Sequence, residues 1–124
     1  MQYALIVFET PDDFERRDDP ERYSAYHGAH AEFLTALKEA GVAAQSVVGG
    51  AGLQAPHAAT TLRKRGGSRQ VVDGPYSDTK EQMGGIYLIE VENLDQALAW
   101  AERCPTASTG AVEIRPTRYP PPRN

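Results

Sequence analysis

A single cysteine, Cys104, stands among the 124 residues, so no internal disulfide can form and no pair of thiolates sits at metal-ligand spacing. A reducing compartment suits such a chain, and the cytoplasm is the expected location. Long apolar runs are also missing: the longest, residues 3–8, is far too short to cross a bilayer, and no basic segment precedes it as in a secretory leader. Basic residues are in deficit. Thirteen Lys and Arg against 17 Asp and Glu give a net charge of −4, without the field that draws proteins onto phosphate backbones or anionic surfaces. Neither nucleic acid nor membrane is expected as a partner. The three histidines lie in three contexts with no His-x-x-x-His pair, so no metal is expected. No cofactor is expected either, because Gly49-Gly50-Ala51-Gly52 runs into Pro56 instead of opening a helix as a phosphate cradle does.

What is present reads as one globular domain over 1–124, with a Pro-rich tail at 117–124. Apolar residues make up 40% and charged residues 24%, enough of each for an ordinary core and surface. Residues 3–8, apolar throughout, predict a strand buried on both faces. The charged segment 9–19 reads as a solvated connector. Asp19 then caps and Pro20 opens a helix to about residue 40, with Tyr23, Tyr26, His30, Phe33, Leu34 and Leu37 on one stripe and Gly41 as the stop. A strand is expected over 42–48, broken by a glycine-rich loop at 49–52. A hairpin at 60–64 and 70–72 turns at Gly66-Gly67, and a polar loop at 76–83 has room for one helical turn. A strand at 86–91, a helix at 94–103 capped by Asn93, and an alternating strand at 112–115 complete the chain.

Strand, helix, strand, hairpin, strand, helix, strand is the order of an α+β ferredoxin-like split βαβ fold with an inserted hairpin, an antiparallel sheet and both helices on one face. Residues of both parities in 3–8 and 86–91 are mostly apolar, so the second face needs a cover, and a homodimer supplies it.

Residues 73–91, Asp-Gly-Pro-Tyr-Ser-Asp-Thr-Lys-Glu-Gln-Met-Gly-Gly-Ile-Tyr-Leu-Ile-Glu-Val, resemble the signature of the DGPF branch of the YCII-related family. The resemblance runs on through Asn93-Leu-Asp-Gln-Ala-Leu-Ala-Trp-Ala to Arg103-Cys-Pro and Val112-Glu-Ile-Arg-Pro, with Ala59-Thr-Thr-Leu-Arg before it. It implies a dimeric α/β barrel with a cleft at the dimer interface. It also implies kinship with small-molecule lyases and isomerases of aromatic degradation, and genes beside extracytoplasmic-function sigma factors. Tyr76 stands where the signature has Phe and adds a hydroxyl, making it a candidate ligand contact.

His30 is the candidate catalytic residue: a titratable ring on an apolar stripe needs a partner, and its place eleven residues before Gly41 resembles that of the YCII helix histidine proposed to pair with an aspartate. The bland reading is a hydrogen-bonded core histidine. His27 falls at the stripe's edge, a rim residue that can touch a ligand. Asp73 is the candidate partner of His30, although Asp before Gly-Pro also caps its own turn. Glu113 and Arg115 alternate with Val112 and Ile114, so a helix-facing apolar pair turns the charged pair toward the dimer cleft, where Arg115 could hold a carboxylate. A cross-strand or interface ion pair is the plainer alternative. The basic hairpin residues and His57 read as solvated surface, and Cys104 as a small apolar side chain.

Two functions follow. In one, the protein is a cofactor-independent enzyme acting on a small carboxylated or aromatic-derived ligand, with a His30–Asp73 acid–base pair. In the other it is a non-catalytic interaction or ligand-sensing protein tied to a sigma factor.

Overall fold

The computed structural model describes residues 1–43 and 50–118. Most of the strand expected over 42–48, and residues 119–124 of the expected tail, lie outside them. The elements run β1 (Gln2–Glu9), α1 (Pro11–Glu15), α2 (Pro20–Glu39), β2 (Gly50–Gly52), β3 (Thr60–Arg65), β4 (Ser68–Asp73), β5 (Gln82–Glu90), α3 (Leu94–Glu102) and β6 (Ala111–Pro116). β2, β5, β1 and β6 form a four-stranded sheet in that order, every neighbour antiparallel. This is the α+β, ferredoxin-like arrangement. The sheet does not close into a barrel within the chain, and β3–β4 stands apart as a two-stranded hairpin.

Both long helices start where short polar side chains can satisfy their free N–H groups. The Asp19 carboxylate accepts from the Glu21 and Arg22 amides, and the Asn93 side chain from that of Gln96. Strand parity then decides which side they cover. Tyr3, Leu5 and Val7 on β1 and Ile89 on β5 meet Phe33 and Leu37 of α2 and Ala97 and Ala101 of α3 in one buried cluster. Ala4, Ile6, Phe8, Ile86 and Leu88 point to the other face, so the apolar two-faced reading of β1 and β5 holds for side-chain direction.

Three local expectations are corrected. Segment 9–19 is not a solvated connector: Glu9, Asp13 and Phe14 are buried, and 11–15 form α1. Thr10 and Asp13 build a capping box there, each side chain accepting from the other's amide at 3.2 and 3.0 Å. The glycines at 50–52 are a short edge strand, because Gly50 lacks the Cβ that would collide with the Ile86 carbonyl of β5. The 76–83 loop holds no helical turn; the Gln82 amide donates instead to the carbonyls of Ser77 and Thr79, at 2.6 and 2.8 Å.

Candidate functional site

β1 and β5 are out of step by one residue. Val7 pairs with Gly85 and Phe8 with Met83, so Gly84 bulges from the ladder. A Cβ on Gly84 would collide with the Glu9 carboxylate. The gap left by the missing side chain therefore holds that carboxylate, 3% exposed at the end of β1 on the helix-facing parity.

Glu9 anchors a row of polar side chains beneath α2. Its Oε1 pairs with Arg17 at 3.3 Å, and its Oε2 accepts from the Tyr26 hydroxyl at 2.7 Å. Tyr26 also touches the Oγ1 of Thr106 at 2.9 Å, a fully buried side chain in the turn at Pro105–Ser108. One helical turn beyond Tyr26, His30 places Nε2 3.0 Å from Thr106 Oγ1 and Nδ1 2.7 Å from the Tyr87 hydroxyl of β5. The imidazole and Tyr87 rings lie within 5° of parallel, and Phe33 holds Tyr87 edge-on at 5.1 Å.

Glu9, Arg17, Tyr26, His30 and Tyr87 line one wall of a cavity of about 810 Å³ between α2 and the β2–β5 side of the sheet, bounded also by Leu34, Lys38 and Leu53. Arg17 donates to the Leu53 carbonyl as well as to Glu9, tying the segment after β2 to the floor. At the mouth, Tyr23 stacks on His27 with ring centres 5.3 Å apart.

Burial sets the electrostatics. It pushes His30 below its ordinary value of 6.5, an effect that the charge of Asp13 opposes and those of Arg17 and His27 reinforce. Burial also raises the phenols of Tyr26 and Tyr87, so both remain protonated hydroxyls. For His30 the sign of the stability linkage follows. As pH falls through about 6.5, the unfolded chain takes up a proton that the folded chain refuses, so stability is lost until the lowered folded value is passed. Urea melts from about pH 7.5 to 5 should therefore show wild type losing stability relative to His30→Gln. A parallel pH profile for the two would mean that the ring titrates freely.

Of the residues singled out in the sequence, the cavity brings together His30 and His27. Asp73 is exposed at the end of β4 and does not line it. Its side chain caps nothing among the described residues; the turn is held by Gly74 N–H donating to Ala59 O and by Thr61 Oγ1 donating to Gly74 O, both at 2.7 Å. Asp73→Ala should accordingly change the unfolding free energy by less than about 0.5 kcal/mol in a urea melt. Tyr76 is 71% exposed, its ring under the Arg63 guanidinium. Glu113 and Arg115 lie 3.9 Å apart on the outer strand β6, turned away from the helices as their alternation predicts.

Glu9, Arg17, Tyr87 and Thr106 carry no site expectation in the sequence, and Tyr26 appears there only as a member of the apolar stripe. Parity held a signal for two of them. Glu9 continues the inward series Tyr3, Leu5, Val7, and Tyr87 shares the parity of Ile89.

A hydroxyl-held imidazole in a cavity between helix and antiparallel sheet defines the class: an α+β ferredoxin-like domain with its candidate site on the helical side. The chain belongs to the YCII-related family, whose domain matches residues 1–118. It is 49% identical over 61 residues to an uncharacterised protein of Rhizobium meliloti; the match covers 48% of this chain and about half, 49%, of that relative. Among solved structures it is similar to the 5-chloro-2-hydroxyhydroquinone dehydrochlorinase of Burkholderia phenoliruptrix in complex with 2,5-dihydroxybenzoquinone. That likeness has a TM-score of 0.50 and 20% identity over 94% of this chain and 93% of the other. Among the described residues, no helix is long and apolar enough to cross a membrane.

Proposed function

We propose that this protein, of the DGPF branch, is a cofactor-independent, lyase- or isomerase-like enzyme acting on a small aromatic-derived or carboxylated molecule, with His30 moving the proton. The observation that carries the reading is the half-buried imidazole, held neutral by burial and fixed through both nitrogens on the wall of a ligand-sized cavity. The quinone in the dehydrochlorinase of similar fold supports a planar, aromatic-derived ligand. The test is to titrate 2,5-dihydroxybenzoquinone into labelled protein and to assay chloride release from 5-chloro-2-hydroxyhydroquinone. Ligand-dependent shifts of the His30 and His27 resonances are expected. No binding by this compound or by a panel of small aromatic acids would sink the reading.

In this proposal the working unit is a homodimer, paired through the sheet face that carries Ala4, Ile6, Phe8, Ile86 and Leu88 into an α/β barrel. Asp73, exposed on its own chain, would join His30 as a residue of the second copy, while Glu113 and Arg115, on the sheet face turned away from the helices, would border the seam between the two sheets and not the His30 cavity. Sedimentation at micromolar concentration should give twice the 13.5 kDa chain mass. A monomer with no concentration dependence would remove the pairing and Asp73's part in it.

The non-catalytic alternative, an interaction or sensing protein associated with a sigma factor, draws support from the hairpin, where Leu62, Val71, Val72 and Tyr76 are all exposed. It predicts wild-type behaviour from His30→Gln and loss of partner binding from hairpin substitutions.

A further inference from the structure

The hydrogen bonds around His30 have a direction, which follows from counting protons. Glu9, paired with Arg17, is a carboxylate and can only accept. Tyr26 has one hydroxyl proton and donates it to Glu9. The bond between Tyr26 and Thr106 therefore uses the Thr106 proton, and Thr106, with nothing left to give, accepts from Nε2 of His30. A neutral imidazole carries one N–H, so Nδ1 presents its lone pair and the Tyr87 hydroxyl donates to it. Both ring nitrogens are thus covered, one by a fully buried threonine and the other by a tyrosine that lines the cavity. A ligand can exchange a proton with this imidazole only through the Tyr87 oxygen.

We propose that Tyr87 is the catalytic residue that meets the ligand, its oxygen taking the ligand's acidic hydrogen while its own proton passes to Nδ1 of His30. The inference rests on the enzymatic reading above and deepens it. In the step, the ligand's C–H or O–H bond breaks and its electron pair stays on the ligand as an enolate or phenolate. The proton forms a new O–H bond on Tyr87, and the proton that Tyr87 held forms the Nδ1–H bond. His30 becomes an imidazolium whose Nε2–H still faces Thr106, and no oxidant or reductant is needed. The two transfers belong to one event, because buried Tyr87 does not ionise by itself. The ligand class is accordingly a molecule with a hydrogen acidified by a neighbouring carbonyl or aromatic ring. Glu9, Tyr26 and Thr106 are positioning residues that fix the tautomer.

The test begins with long-range proton–nitrogen NMR of the full-length labelled protein at neutral pH. His30 should be the Nε2–H tautomer, and Glu9→Gln, whose amide can donate toward Tyr26, should shift it toward Nδ1–H. An Nδ1–H tautomer in wild type overturns the proposal, since it would aim the Tyr87 proton into the cavity. Tyr87→Phe should retain 2,5-dihydroxybenzoquinone binding to within a few-fold and lower chloride release from 5-chloro-2-hydroxyhydroquinone by a factor on the order of 10² to 10⁴. If His30→Gln is inactive while Tyr87→Phe keeps the wild-type rate, the imidazole meets the ligand directly; the inference then falls and the enzymatic reading stands. Wild type that neither binds nor turns over these compounds, and binds none of the small aromatic acids either, defeats both.

Discussion

Replacing His30 by glutamine is expected to lower turnover by a factor on the order of 10² to 10⁴ while the fold survives, as removal of a general acid–base does. Glutamine is near the right length and can still satisfy the Thr106 and Tyr87 hydroxyls that now hold the ring, so few buried polar groups are orphaned. What it cannot do is accept and return a proton near neutral pH. His27→Ala serves as the control. His27 sits exposed at the mouth against Tyr23, and its loss should weaken ligand binding a few-fold at most and move the pH profile only slightly upward, since one of the smaller influences that lower His30 is removed. Chloride release and thermal melts measured on the same preparations separate the outcomes. A His30→Gln protein that melts far below wild type would mark the ring as a packing element.

Gly84→Ala should cost about 1–3 kcal/mol of stability, an unusually large effect for one methyl group on a sheet. The added Cβ takes the space of the Glu9 carboxylate, which must swing away from both Tyr26 and Arg17. Charge-assisted hydrogen bonds are lost together, and the Tyr26 hydroxyl loses the acceptor that orients it. Glu9→Ala in the Gly84→Ala background should then cost little, since the colliding group is already gone. A double-mutant cycle by urea denaturation should show a coupling of about 0.5–3 kcal/mol. Additive losses would mean that Gly84 serves only the backbone of the bulge.

The fold was legible in the sequence wherever a local rule coincided with tertiary demand. Asp19-Pro20 and Asn93 start helices because capping is satisfied within a few residues, and 3–8 and 86–91 are too apolar to be anything but central strands. The site was less legible for the same reason. His30 announced itself by standing on an apolar stripe, but its partners come from two other elements, β5 and the turn after α3, and Glu9 of β1 acts on them only through Tyr26. Glu9 was lost among the charges that follow it, since composition alone cannot say which member of an acidic segment points inward. Gly84 falls unassigned between the loop expected at 76–83 and the strand expected at 86–91, because a bulge is a property of two strands in register, not of one. Asp73 is the opposite case: its signature made it prominent, and its side chain stands in solvent on its own chain, so a role at the site would depend on a second copy.

The β3–β4 hairpin contributes no side chain to the buried core, and almost every residue in its two strands is exposed. Substitutions there are therefore nearly free of the stability threshold that disciplines the remainder of the chain. For the lineage, this divides the protein into two tempos of change. Around Glu9, Gly84 and His30 one altered atom disturbs several partners at once, while the arm can try new charges and new apolar contacts without endangering the fold that carries it.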